Sequence, residues 1–178
     1  MKYQFDYRLP NGKSLQVRRA TPNDSKQTIK VWNSVVKEKK YTMGLNLLKE
    51  NDEREFIKDL DKREAILVAI LEKQIIGYLI LTIPDKICRS TLHVAEVGTF
   101  ILKRFRGMSV GNYLLSSAFD FARKNNFEKM IIKVRSNNQG ALTFYQKHGF
   151  NEVGRLKREI KIDGKYEDHV LMEKFLEN

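Results

Sequence analysis

Apolar and polar residues alternate over the first twenty positions, with Tyr3, Phe5 and Tyr7 ahead of Asn11-Gly12 and Leu15 and Val17 behind it. A period of two marks half-buried strands, and Asn-Gly between two such runs marks a hairpin, because both residues accept positive φ. The spacing then becomes helical. Thr21-Pro-Asn-Asp supplies helix-start chemistry, and Ile29, Trp32, Val35 and Val36 recur on one face of a first helix. The segment KEKKYTMGLN breaks that pattern, and NDEREFIKDL follows with acidic residues in its opening turn, which complements the dipole of a second helix. Two dense apolar runs come next, AILVAIL (65–71) and IIGYLILTI (75–83), joined by a polar turn. Runs of that kind belong to central strands.

Further along, HVAEVGTFIL (93–102) predicts a long strand, RFRGMSVG a link, and Val110 to Lys124 a helix with Val110, Leu114, Leu115, Ala118, Phe121 and Ala122 in one stripe. KMIIKVR (129–135) predicts another strand. NNQGALTFYQKHGF predicts a short helix that Gly149 terminates, and Asp163-Gly164 sits between the two arms of a final hairpin. The order ββααβββαβαββ predicts the α/β (α+β) class: one domain over 1–178, a mixed sheet with helices on its faces, and a βαβ unit within 96–135.

Composition narrows the chemistry. Hydrophobic residues make up 42% and charged residues 31% of the 178, which is globular rather than disordered. Lys and Arg exceed Asp and Glu by 33 to 22, a formal charge of +11, so an anionic ligand is favoured over a polycation. The basic residues are spread along the chain without a block, so a nucleic-acid partner is not expected. A lone cysteine, Cys88, excludes an intramolecular disulfide and a Cys/His metal cluster, and no metal is expected. No apolar run reaches the roughly 20 residues of a membrane span, and the N-terminus lacks a secretory signal, so the expected location is cytoplasmic, with no membrane partner.

The link Arg106 to Asn112 reads RGMSVGN. A strand running through a glycine-containing turn into a helix leaves the first amides of that helix unpaired, and those donors together with the helix dipole make an anion site. Gly107 and Gly111 allow close backbone approach, Arg106 adds a charge, and Lys103 and Arg104 can supplement it. The string lacks the endings of a Walker loop and of a dinucleotide fingerprint.

One helix downstream, Asn138, Ala141, Tyr145, Gly149 and Phe150 form the pattern NxxAxxxYxxxGF. With RGMSVG it resembles the paired motifs of the GNAT superfamily of N-acetyltransferases, and VRRATPND, IIGYLIL and the final hairpin extend the resemblance over about 15–175. The resemblance implies a central mixed, mostly antiparallel twisted sheet with helices on both faces, and acetyl-CoA as cosubstrate. Its pyrophosphate would lie on Arg106, Gly107, Met108, Ser109, Val110, Gly111 and Asn112, with Asn138 contacting the cofactor. Main-chain groups of Phe100, Ile101 and Leu102 would hold the pantetheine arm. Tyr145 matches the tyrosine that protonates the departing thiolate. Glu96 lies where many relatives keep a base for the acceptor amine, and a carboxylate in an apolar strand is also where burial can raise a pKa. His93 is a rival to it; His148 and His169 have no ligand spacing, and solvent-facing or packing roles are expected of them. Ser109 departs from the pattern, which has glycine there.

The function so implied is acetyl transfer from acetyl-CoA to a primary amine, a small molecule or a protein N-terminus, by direct ternary-complex transfer. The alternative is a catalytically weak binding module associated with RNA or ribosomes. The resemblance also implies a homodimer as one assembly.

Overall fold

The computed structural model describes residues 3–42, 44 and 46–177. Met43 and Leu45, within the KEKKYTMGLN segment, lie outside the described residues. Eight strands and four α-helices form in the order the patterning predicts: β1 (Gln4–Arg8), β2 (Ser14–Arg19), α1 (Ser25–Lys37), α2 (Glu50–Asp59), β3 (Ala65–Leu71), β4 (Gln74–Thr82), β5 (Val94–Ile101), α3 (Val110–Lys124), β6 (Lys129–Arg135), α4 (Gln139–Lys147), β7 (Asn151–Ile162) and β8 (Lys165–Phe175). They build one sheet of order β1-β2-β3-β4-β5-β6-β8-β7, antiparallel throughout except for β5 against β6.

Alternation along the central strands sends successive side chains to opposite faces. Leu67 and Ala69 of β3 belong to one core cluster with Leu114, Leu115 and Ala118 of α3 and with Leu142 and Tyr145 of α4. Ile66 and Val68, one position out of phase, pack with Val31 of α1 and Ile57 of α2. Both faces are therefore covered, and the near-continuous apolar runs of β3 and β4 follow from that. In α1 the inward stripe is Thr28, Val31 and Val35, with Ile29 and Trp32 only half-buried at its flank.

One turn departs from expectation, and a second is unusual in its backbone. Asn11-Gly12 is not a two-residue turn with both φ positive. Only Gly12 has positive φ (82°), the Leu9 amide bonds the Lys13 carbonyl, and the Gly12 amide bonds the Leu9 carbonyl. This is a three-residue loop closed by a glycine bulge. Between β3 and β4, Glu72 and Lys73 both take positive φ (50° and 66°) without a glycine.

The feature that makes the site is a break in pairing. β5 and β6 share a parallel ladder only where Val94, Ala95 and Glu96 meet Lys129, Met130 and Ile131. Beyond Glu96, β5 continues paired to β4 alone and β6 paired to β8 alone. The sheet opens there, and an unpaired strand edge faces the gap.

The entry of α1 is fixed by Asp24. Arg18 donates to both of its carboxylate oxygens at 2.8 Å, and the Thr21 amide and hydroxyl donate to Oδ2 at 2.8 and 3.0 Å. Burial pushes the Asp24 carboxyl up, but the bonds from Arg18 and Thr21 and the guanidinium charge outweigh it and leave it below its ordinary value. A depressed folded value stabilises the protein above the unfolded carboxylate pKa of about 3.9, and that stabilisation is lost as pH falls through the folded value. Asp24→Asn is therefore expected to cost about 2 kcal/mol at pH 7 in urea unfolding. Its deficit against wild type should shrink as the pH is lowered through the carboxylate range.

Candidate active site

Two adjoining cavities fill the gap between β5 and β6. The larger, about 510 Å³, runs along the end of β5 and under the start of α3. The smaller, about 240 Å³, lies on the α1 face of the sheet. Tyr41, Thr99, Phe100, Asn138, Ala141 and Tyr145 border both.

The start of α3 is built to leave donors free. Ser109 stands at the N-cap position, where serine ordinarily accepts from the amides of the first turn. Here its φ is 63° and its side chain makes no capping bond. The opening amides of α3, which have no acceptor within the helix, are thus not claimed by their own cap. A left-handed serine costs about 1 kcal/mol, which explains the glycine of the pattern. Gly107 also has positive φ (74°), and a Cβ there would meet nothing within 4 Å, so the backbone itself lies open to the cavity side. A turn of unpaired amides at the positive end of a fifteen-residue helix fits a pyrophosphate.

Gly111 serves a different purpose from the one expected. A Cβ on it would come within 3.3 Å of the Phe144 ring and 3.5 Å of the Ile101 side chain. Its bareness lets α3 approach α4.

The Arg106 charge is also committed elsewhere. Its guanidinium pairs with both carboxylate oxygens of Glu38 at 2.9 and 2.5 Å, its Nε donates to the Ile101 carbonyl at 2.9 Å, and it stacks 4.5 Å from the Tyr41 ring. Arg106 therefore ties the end of β5 to the end of α1 instead of standing free for an anion. Arg104 likewise turns to Gln74, at 3.0 Å, and neither it nor Lys103 borders the cavity.

Of the other expected residues, Phe100, Ile101, Gly107, Ser109, Val110, Gly111 and Asn112 border the larger cavity. Met108 does not, and nor does Leu102, whose amide donates to the Ile76 carbonyl at 3.0 Å. By the alternation of an antiparallel ladder, Leu102 and Phe100 turn their main-chain polar groups to β4, leaving those of Thr99 and Ile101 on the open side. The strand edge offered to a ligand is thus Thr99 and Ile101, less the Ile101 carbonyl that Arg106 takes, rather than the Phe100 to Leu102 run.

Asn138 caps α4, accepting from the Ala141 amide at 3.2 Å, and its side chain borders both cavities. Tyr145 is 4% exposed and lies at the junction of the two, where its hydroxyl donates to Thr99 Oγ1 at 3.1 Å. Burial pushes the phenol up to about 12, with the Thr99 bond working weakly against it. It remains protonated throughout any working pH.

Glu96 borders the smaller cavity but is not sealed. Its side chain keeps 27% exposure and faces Lys133 Nζ at 3.5 Å. His93 lies at the other end of β5 against Lys62 and Asn125, away from both cavities, and drops out as a rival. His148 is bonded through Nδ1 to the Phe144 carbonyl at 2.8 Å. Sequence reasoning passed over Thr99, although it and Glu96 are the two polar side chains of the β5 run. His169, expected in a solvent-facing or packing role, is buried and borders the smaller cavity.

The segment between α1 and α2 forms another wall of the smaller cavity. Arg135, on β6, pairs with Glu167 and donates to the Lys39 carbonyl at 2.7 Å, and Trp32 Nε1 donates to the Asn46 carbonyl at 3.0 Å. Tyr41, Thr42 and Gly44 are thereby held against the smaller cavity.

A splayed βαβ unit with an open amide turn and a buried phenol at the splay is the setting in which the comparisons with known proteins have meaning. The model of the Acetyltransferase (GNAT) family matches residues 32–150. The chain belongs to that family. As a GNAT protein it is an acetyltransferase, with acetyl-CoA as cosubstrate. It is similar to the N-alpha-acetyltransferase of Sulfolobus acidocaldarius, 28% identical over 88% of this chain and 90% of that protein. Among solved structures it is similar to a GNAT-family acetyltransferase from Streptococcus pneumoniae, with a TM-score of 0.83 and 28% identity over 90% of this chain and 99% of the other. It also shares the fold of yncA from Salmonella typhimurium, solved with acetyl-CoA, at a TM-score of 0.86 and 16% identity over 92% and 95% of the two chains. Among the described residues no helix is long and apolar enough to cross a membrane.

Proposed function

We propose that this GNAT protein acetylates a primary amine of amino-acid size, held in the smaller cavity, by direct attack on the thioester of acetyl-CoA lying in the larger one. The observation that carries the reading is that the two cavities meet at Tyr145 and Thr99. An amine in one and a thioester in the other then come together beside a buried proton donor, and a positioned acid contributes roughly 10²–10⁴-fold. In this reading Glu96 takes the ammonium proton, directly or through water, and Tyr145 protonates the thiolate as it leaves. The open amides of Val110, Gly111 and Asn112, with those of the turn before them, hold the pyrophosphate.

A cavity of about 240 Å³ has room for several water-sized groups at roughly 30 Å³ each, enough for an amino acid and too little for a folded chain. A second acceptor, the first residue of a peptide with the rest outside, is favoured by the likeness to the archaeal N-alpha-acetyltransferase. The test is release of free thiol from acetyl-CoA with a panel of amino acids, their amides and short peptides. Turnover with single amino-acid-sized amines is expected, and it should fall at least tenfold in Glu96→Gln while acetyl-CoA affinity is kept. Failure of every primary amine, with acetyl-CoA bound, would remove the reading.

A further inference from the structure

Among the described residues, His169 is a buried titratable side chain of the smaller cavity that the reading above leaves unused. It sits on β8, directly opposite Arg135 of β6 and Leu156 of β7, and is 2% exposed. It borders the smaller cavity together with Glu96, Lys133 and Tyr145. Its Nε2 is closed off from solvent and has no hydrogen-bond partner among the described residues. A buried polar group left in that state costs about 1–3 kcal/mol and calls for an explanation.

Its neighbours do not supply one. Arg135 is used by Glu167 and by the Lys39 and Thr42 carbonyls. Lys133 faces Glu96. The charges acting on the ring are Glu159, Lys133, Arg135 and Glu96, of both signs, and burial, the largest influence, holds the imidazole below its ordinary pKa. The ring is thus neutral near pH 7, with one nitrogen a donor and the other an acceptor. It cannot act as a fixed charge there, but it can complete a hydrogen bond that arrives with a ligand.

We infer that His169 binds the carbonyl-type oxygen next to the acceptor's amine, the α-carboxylate of an amino acid or the first carbonyl of a peptide, and so selects α-amino carbonyl compounds over simple amines. The inference rests on the reading of the smaller cavity as the acceptor site. A neutral imidazole N–H donor suits an oxygen acceptor, whether a carbonyl or a carboxylate. A site built to bond a polar group discriminates strongly against an analogue that lacks it, because its own buried group is then left unpaired.

The test compares wild type and His169→Leu on amino acids and amino-acid amides, each against the amine that lacks its carbonyl, such as leucine and leucinamide against 3-methylbutylamine. Wild type should prefer the carbonyl-bearing member of the best pair at least tenfold in kcat/KM. His169→Leu should bring that ratio to within about threefold of unity, through a raised KM for the carbonyl-bearing member. Preference for the acid or for the amide tells which oxygen is bound. Because the leucine removes an unpaired buried nitrogen, the melting temperature of the free protein should stay level or rise, whereas a packing residue would lower it. If His169→Leu melts well below wild type, His169→Gln, which keeps a donor, decides: retained preference supports the assignment and lost preference overturns it. An unchanged ratio, or equal loss of kcat on both members of a pair with a shifted pH profile, also overturns it. If simple amines are acetylated and no carbonyl-bearing amine is, the inference fails and the acetyltransferase reading stands; if acetyl-CoA does not bind, that reading fails first.

Discussion

Tyr145→Phe is expected to lower kcat by about 100-fold while leaving the affinity for acetyl-CoA and the melting temperature close to wild type. The hydroxyl makes one bond, to Thr99, and its removal leaves the ring packed against Phe144 and Phe150. The structural cost is therefore that of one neutral hydrogen bond, about 1 kcal/mol. The catalytic cost is larger, because a thiolate leaving into a closed cavity needs a proton at that point, and removing a positioned acid costs on the order of 10²-fold. Since burial lifts the phenol to about 12, wild-type kcat should show no falling limb from this group below roughly pH 10. Steady-state kinetics from pH 6 to 10 check both statements. A kcat within threefold of wild type in the phenylalanine variant would mean that the proton comes from elsewhere.

Ser109→Asp is expected to separate cofactor binding from stability. Aspartate tolerates the left-handed conformation better than most residues, and a carboxylate at the start of a helix gains roughly 0.3–1 kcal/mol from the dipole. The variant should therefore melt level with wild type or up to about 2 °C above it. The same carboxylate stands among the amides that the account assigns to the pyrophosphate, and at a few ångströms two such charges repel by several kcal/mol in a partly desolvated site. Affinity for acetyl-CoA should fall at least 100-fold. Ser109→Gly works the other way on stability, relieving about 1 kcal/mol of backbone strain.

Much of the architecture is legible in local pattern. The stripe from Val110 to Ala122 places α3 with its bounds, because a helix against a sheet repeats its apolar positions every three to four residues whatever it packs on. β6 and the terminal hairpin are legible for the corresponding reason at period two. The site is less so, because its decisive facts join residues far apart in sequence. Arg106 reads as a free cation in RGMSVGN; its partner Glu38 is on another element, 68 residues away. Gly111 reads as a place for ligand approach, and only the packing of α4 reveals Phe144 over it. The parting of β5 and β6 after Glu96 has no local signature, since both strands stay paired on their other sides. His169, without ligand spacing to another histidine, reads as solvent-facing or packing until the cavity beside it is seen. Thr99 and Glu96 are the exceptions, since polar side chains in an otherwise apolar strand mark a site.

In the proposed reading the open amide turn before α3 holds the cosubstrate. Calorimetric titration of acetyl-CoA into wild type and Ser109→Asp, in one buffer and with melting temperatures recorded on the same samples, tests it most directly. Acetyl-CoA is expected to bind wild type one-to-one and the variant at least 100-fold more weakly, with the variant no less stable. Equal affinity in the two proteins would contradict it.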